Sequence, residues 1–416
     1  MKFLTISIVV VAILFNGCGS GESSDIQTTS ITKEELGEKL FFDTNLSLNR
    51  GTSCATCHDP EHGFVDARFA NEGVDQDIFV DGAFSVGDDG VSLGGRNAPT
   101  AAYAQLSPEF GLYDGEYKGG QFHDGRASNL ADQAGRPPLD SAEMMMSDKA
   151  SIINRIKENT EYIEDFEKLY GTDIFDDVNE SYEAMREAIA KYEKTEEFAP
   201  FDSKYDRYRA CKDNGGFTST CLSEGNWSIE EQLGFDLFFS EGNTNCSQCH
   251  TLNETPTDRT EESFTNFKFE NIGVPRNITA MDRRAYLGLQ DENATFLGLG
   301  KTVNDSTHYG KTKVPTLRNV AITAPYMNNG QFKKLRTVLE FYDHMAGQGN
   351  HPINPETQEI WGANDHNTTI NTTILHDTAA LSDAKIRALE AFLRTLTDQR
   401  YENLLPELAP EGELGN

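Results

Sequence analysis

Residues 54–58 read Cys54-Ala55-Thr56-Cys57-His58, and residues 246–250 read Cys246-Ser247-Gln248-Cys249-His250. Two thiols at this spacing can each add to one vinyl group of a haem, and the adjacent imidazole then reaches the iron from the proximal side. A chain of this composition yields about 0.003 such matches by chance, so a pair is no accident. A zinc site would need four closed ligands, and a thioredoxin-like pair a βαβ setting; neither is evident around these cysteines. Cys54, Cys57, His58, Cys246, Cys249 and His250 are read as the attachment and proximal-ligand residues of two c-type haems.

Just upstream of each motif the chain repeats itself. Leu36-Gly37-Glu38-Lys39-Leu40-Phe41-Phe42 precedes the first, and Leu233-Gly234-Phe235-Asp236-Leu237-Phe238-Phe239 precedes the second. Apolar residues at i, i+4 and i+5 predict a short amphipathic helix in each case. Helix, loop and haem segment occurring twice predict two cytochrome c-like domains. Helical periodicity also marks 149–170, 180–198 and 382–397, the last capped by Ser382 and burying Ile386, Leu389, Leu393 and Leu396. Residues 59–125 are Gly- and Asp-rich without a sustained period and read as long loops around a haem pocket. The expected fold is all-α, with two haem domains, long loops and little strand.

Of the seven cysteines, three remain. Lys2 and the apolar run Ile6 to Phe15 form an export signal too short to span a bilayer as a stable helix. Cys18 after Gly17 resembles the lipidated cysteine of a bacterial lipoprotein signal; cleavage without lipidation is the alternative, because Phe15 is not the usual aliphatic residue. Export implies an oxidising periplasm or cell envelope, where Cys211 and Cys221 would pair as a disulfide. The expected segments are 1–18 export signal, 19–32 tether, 33–225 first haem domain, 226–402 second haem domain and 403–416 acidic tail. With 67 acidic against 36 basic residues the net charge is −31. Such a field repels nucleic acid; it either favours a basic or neutral protein partner or serves solubility in a salty medium.

Four further stretches carry a resemblance: Gly95-Arg96-Asn97-Ala98-Pro99-Thr100, Gly120-Gln121-Phe122-His123-Asp124-Gly125-Arg126, Val314-Pro315-Thr316-Leu317-Arg318-Asn319 and Thr323-Ala324-Pro325-Tyr326-Met327. With the two haem motifs, they make residues 33–400 resemble the bacterial dihaem cytochrome c peroxidase and MauG family. The resemblance implies two all-α domains, two covalent haems and a calcium ion between them. One haem would meet hydrogen peroxide and the other would handle electrons.

The resemblance also assigns roles. Peroxidases of the family place a distal His before Arg-Asn-Ala-Pro-Thr, but Phe84 to Gly95 contains none, so the first iron would be open, as in MauG. Gln133, Pro137 and Glu143 fall at the spacing of the family's distal Gln, Pro and Glu. A carboxylate over an open iron could move the peroxide proton, and the amide could orient the oxidant. At the second haem the sixth ligand would be Tyr342, with Met345 or His344 as alternatives. His123 stands where most members have Trp between the haems, so it would relay charge less well or hydrogen-bond a propionate or water chain. Asn97, with main-chain carbonyls at Lys313 and Pro315, would hold the calcium. His62 reads as a loop residue, on the surface or linked to a propionate. His308, His351, His366 and His376 read as exposed, without a role.

Three functions are open at this level. The first is a peroxidase fed by a small periplasmic cytochrome or cupredoxin. The second is a MauG-like enzyme that uses peroxide to oxidise a partner protein. The third is an electron-transfer cytochrome without catalysis. The only expected membrane contact is a lipid on Cys18.

Overall fold

A computed structural model describes residues 30–71, 74–252, 262–289, 296–347 and 350–408. Cys18, the export signal, most of the tether and the end of the acidic tail lie outside the described residues.

The sequence repeat is a helix crossing used twice. The helix Lys33–Phe42 starts from a capping box of Thr32 and Glu35 and packs across the helix Val178–Tyr192. At the crossing, a β-carbon on Gly37 would stand 1.9 Å from the carbonyl oxygen of Ala188. The helix Ile229–Phe238 starts from a capping box of Ser228 and Glu231 and crosses the helix Asp383–Arg394, where a β-carbon on Gly234 would meet the Ala388 oxygen at the same 1.9 Å. Only hydrogen fits in that gap, so the two backbones touch. Leu36, Leu40 and Phe41 of the first repeat and Leu237 and Phe238 of the second then enter a core, while Phe42 and Leu233 stay exposed. Ser382 caps the last long helix, and Ile386, Leu389, Leu393 and Leu396 are buried, as the periodicity predicts.

Two cores follow from the two crossings. The first gathers Leu40, Phe41, Ile152, Phe166, Met185 and Phe198. The second gathers Trp227, Phe238, Leu339, Leu389 and Phe392. The packing divides the chain earlier than the expected 225/226. Tyr205, Tyr208 and Cys221 already belong to the second core, because the helix Lys204–Asp213 is tied to it: Tyr205 N donates to Thr395 O at 2.9 Å. Cys211 and Cys221 are joined by a disulfide within this segment.

The expected helix at 149–170 is two helices, Lys149–Ile156 and Thr160–Tyr170. Asn159 interrupts it by accepting the Glu161 N–H on its side chain, a local bond that competes with the helix. The helix expected at 180–198 runs from Val178 to Tyr192, opened by Asp177. Strands among the described residues are three short antiparallel pairs: Gly111–Tyr113 with Glu116–Lys118, Phe269–Glu270 with Thr312–Lys313, and Ile353–Asn354 with Glu359–Ile360. Among the described residues no helix is long and apolar enough to cross a membrane.

After the last long helix the chain turns back onto the first domain. Tyr401 donates to the Pro60 carbonyl, Arg400 Nη2 to Glu197 O at 2.5 Å, and Tyr103 to the Asp398 carboxylate. The strap ties the end of the second domain to the amino-terminal one.

Candidate functional site

Each attachment motif forms a short helical turn, Cys54–Cys57 and Cys246–Cys249. The four thiols are not disulfide-bonded. His58 Nδ1 lies 3.1 Å from the Phe64 carbonyl, and His250 Nδ1 lies 3.0 Å from the Phe264 carbonyl. A carbonyl can only accept, so Nδ1 carries the hydrogen and Nε2 keeps its lone pair for a metal. Both phenylalanines have positive φ, 56° and 53°, which turns their carbonyls towards the imidazoles. Burial lowers the pKa of both histidines, that of His250 to about 4, so both rings are neutral and fit to ligate. Free thiols, neutral imidazoles and fixed tautomers suit covalent haem at both motifs.

A cavity of about 350 Å³ opens at the second motif. Cys246, Cys249 and His250 line it, and so does Tyr342 from the helix Leu335–Met345. Burial, followed by the nearby Cys249 and Cys246 thiols, raises the Tyr342 pKa. Met345 is not in the cavity wall; its methyl group lies 2.7 Å from where a β-carbon on Gly273 would stand. His344 stacks on Trp361 with ring centroids 5.6 Å apart.

The first motif has different neighbours. The loop from Phe84 folds on itself through a bridge between Val86 and Leu93. It contacts the motif at its base: Arg68 Nη2 lies 3.4 Å from Cys57 Sγ and 3.0 Å from Val86 O. Glu143 follows the turn Pro137–Leu139, and the Met144 N–H returns to Pro137 O at 3.3 Å. Burial pushes the Glu143 carboxyl up to about 7; Asp140 adds to the shift and Arg126 opposes it. Gln133 lies in the helix Leu130–Ala134, and its amide makes no hydrogen bond among the described residues.

Between the motifs, His123 Nε2 donates to the Asn97 carbonyl at 2.9 Å, while Lys313 N donates to His123 O at 2.8 Å. Burial lowers the His123 pKa to about 4, so this ring is neutral. The Asn97 amide nitrogen faces the carbonyls of Gly82 and Ala83 at 3.3 Å each, which turns its oxygen away from them. Asn97, Lys313 and Pro315 all line the 350 Å³ cavity. An amide oxygen and two main-chain carbonyls are the hard donors calcium takes. The Lys313 ammonium is tied back to Gly120 O and Ser107 Oγ, and burial lowers its pKa to about 8.

Three histidines differ from expectation. His351 is largely buried: its Nδ1 bonds the fully buried Asp343 carboxylate at 2.7 Å. His308 and His366 are also partly buried, packed on Tyr117 and Tyr309. His376 is exposed, and His62 pairs with Asp59 at the surface. Sequence reasoning missed Glu193, a carboxyl 5% exposed whose Oε2 has no hydrogen-bond partner among the described residues, because nothing local marks it. It also gave Arg318 no role, although this residue sits inside a motif that was read.

Comparison with known proteins agrees with this arrangement. The family described as di-haem cytochrome c peroxidase matches residues 31–214. The methylamine utilization protein MauG of Paracoccus denitrificans is 40% identical, covering 95% of this chain and 96% of that protein. The cytochrome-c peroxidase IdrP2 of Denitromonas iodatirespirans is 28% identical over 76% of this chain and 74% of its own length. The crystal structure of the diheme peroxidase BthA from Burkholderia thailandensis superposes with a TM-score of 0.72 at 28% identity, covering 91% of this chain and 89% of that one. Two haem motifs on a doubled all-α scaffold, with this identity across nearly the whole of both chains, place the protein in the dihaem cytochrome c peroxidase and MauG family of oxidoreductases, which carry two haem c groups.

Proposed function

We propose that this chain reduces hydrogen peroxide at the centre built on Cys54, Cys57 and His58, and takes electrons in through the centre built on Cys246, Cys249 and His250. The observation that supports peroxide meeting the first centre and not the second, in this reading and in the MauG-like one below, is an asymmetry, and His123 in place of the usual Trp favours the peroxidase of the two. Tyr342 shares the cavity of the second motif, whereas the loop beside the first contributes Val86 and no histidine. Haem c supplies an iron that exchanges electrons and, where one axial position is open, a place for peroxide to bind.

The chain's own residues supply the rest. His58 and His250 would hold the two irons through Nε2, the nitrogen that their bonds to the Phe64 and Phe264 carbonyls leave free. Glu143 takes the peroxide proton and returns it to the departing oxygen, a task suited to a carboxyl poised near neutrality. Gln133 orients the oxidant through its amide, and Pro137 fixes the turn that carries Glu143. Tyr342 offers its phenol oxygen to the second centre. Neutral His123 holds the Asn97 main-chain carbonyl, and the Gly82 and Ala83 carbonyls hold its amide nitrogen, so Asn97 keeps its side-chain oxygen for a calcium shared with the carbonyls of Lys313 and Pro315. The donor is a basic periplasmic cytochrome or cupredoxin, steered by the net charge of −31. Export and a lipid on Cys18 would hold the protein at the cell envelope.

A MauG-like reading, with peroxide used to oxidise a partner protein, is favoured by the position of Tyr342 and by the 40% identity to the Paracoccus protein. Steady-state peroxide consumption with a reduced small cytochrome separates the two. Turnover supports the peroxidase. A haem spectrum that responds to peroxide without turnover supports the alternative. Glu143→Gln should slow the peroxide reaction about 10²–10⁴-fold at unchanged haem content. The wild-type rate should rise as pH passes about 7 and Glu143 becomes a base; an unchanged rate in the variant would remove Glu143 from the chemistry.

A further inference from the structure

Two buried tyrosine–carboxylate pairs stand behind the residues that hold His58 and His250: Tyr103 bonds Phe198, which stacks on Phe64, and the Tyr205 ring meets Phe264 at 5.0 Å. Tyr103, 1% exposed, donates its hydroxyl to Asp398, which is fully buried. Tyr205, 1% exposed, donates to Glu262, 3% exposed. Arg318 stands between them, its guanidinium carbon 5.4 Å from the Tyr103 ring centre and 5.8 Å from that of Tyr205. Its charge is balanced by Asp206, at 2.5 and 2.8 Å.

Tyr103 reaches towards both centres. It lines the cavity of Cys246, Cys249 and His250, although its own sequence belongs to the first domain. Its main-chain N–H bonds Phe198 O at 2.9 Å. The Phe198 ring stacks on Phe64 at 4.1 Å, and Phe64 carries the carbonyl that holds His58. The route avoids His123 altogether.

Removing an electron alone from a buried phenol would leave a cation in a low-dielectric interior, at a prohibitive desolvation cost. Removing electron and proton together leaves no net charge at the phenol, provided a base lies within hydrogen-bond reach. Asp398 is that base, and its other oxygen is held by Asn319 Nδ2 at 2.7 Å. Burial pushes its pKa up to about 6, so it gains stability when protonated.

We propose that Tyr103 is a proton-coupled redox residue that holds an oxidising equivalent between the two haems. The proposal rests on the reading above that peroxide oxidises the haem pair. The Tyr103 O–H bond breaks and an O–H bond forms on Asp398. One electron passes from the phenol to the haem pair, oxidised beforehand by hydrogen peroxide, which is itself reduced to water. An electron from the donor protein reverses the step, and the proton returns from Asp398. With a neutral imidazole at position 123, the phenol offers the more readily oxidised group.

The test mixes holoprotein with hydrogen peroxide, freezes it rapidly and records EPR, while absorbance follows the haems. The wild type should give a narrow phenoxyl signal whose splitting changes on ring-deuteration of tyrosine. Tyr103→Phe, which keeps the ring and removes only the hydroxyl, should abolish the signal while haem content and resting spectrum stay unchanged. Asp398→Asn should abolish it too. An undiminished signal in Tyr103→Phe, or a wild type without one despite a normal haem response, overturns the proposal and leaves the peroxidase reading intact. Haems that do not respond to peroxide at all overturn both.

Discussion

Gly234 lies so close to Ala388 that a β-carbon on it would meet the Ala388 carbonyl oxygen at 1.9 Å. Backbone cannot yield as a flexible side chain can, so Gly234→Ala should push the helix Ile229–Phe238 off the helix Asp383–Arg394. The expected loss is about 1–3 kcal/mol or more, typical of an overpacked core. Thermal unfolding of the holoprotein measures it, and Gly37→Ala should do the same in the first domain. A variant melting with the wild type would show that the crossing has slack.

Tyr342 and Met345 are one helical turn apart, yet only Tyr342 enters the wall of the second haem cavity. Tyr342→Phe should convert the low-spin ferric EPR signal of that centre to high spin, while Met345→Leu should leave it alone. A thioether absorption band that disappears in Met345→Leu would reverse the assignment.

Burial lifts the Glu193 carboxyl from its ordinary 4.5 to about 8, with Lys194 opposing weakly. The unfolded chain therefore ionises this group first. Its contribution to stability is whole below about 4.5 and is lost progressively as pH rises to about 8. Glu193→Gln keeps the shape without the titration. Its melting temperature relative to wild type should climb between those limits, and a pH-independent difference would contradict the assignment.

The Cys211–Cys221 bridge closes a short loop inside the second core. Loop-closure entropy makes its loss worth roughly 2–3 kcal/mol. Cys211→Ser with Cys221→Ser should lower the unfolding free energy by that amount, read from the fall in denaturant midpoint multiplied by the slope m, with both haems still attached. Attachment failing in the double variant would mean the bridge is needed for maturation as well.

Sequence patterns revealed what is local. The haem motifs, the paired Leu-Gly helices and the capped helix at 383–394 are set by spacing within one or two turns. That Tyr205 and Cys221, upstream of the second repeat, pack with its core was not legible, because they join it only through tertiary packing. His351 read as exposed because its partner Asp343 belongs to a different element, the preceding helix. The candidate site was legible where motifs carry it. Glu193 and the pairing of Tyr103 with Asp398 were not, since a polar residue's burial partner leaves no periodic trace in sequence.

The returning strap also makes the amino-terminal half depend on the far end of the chain. Tyr103 finds its carboxylate 295 residues later in the chain. The amino-terminal half is therefore incomplete until residue 398 is in place, with one buried phenol left without its carboxylate. A chain shortened before Asp398 would lose this bond and the contacts of Arg400 and Tyr401 with the first domain, although the whole first haem motif remains.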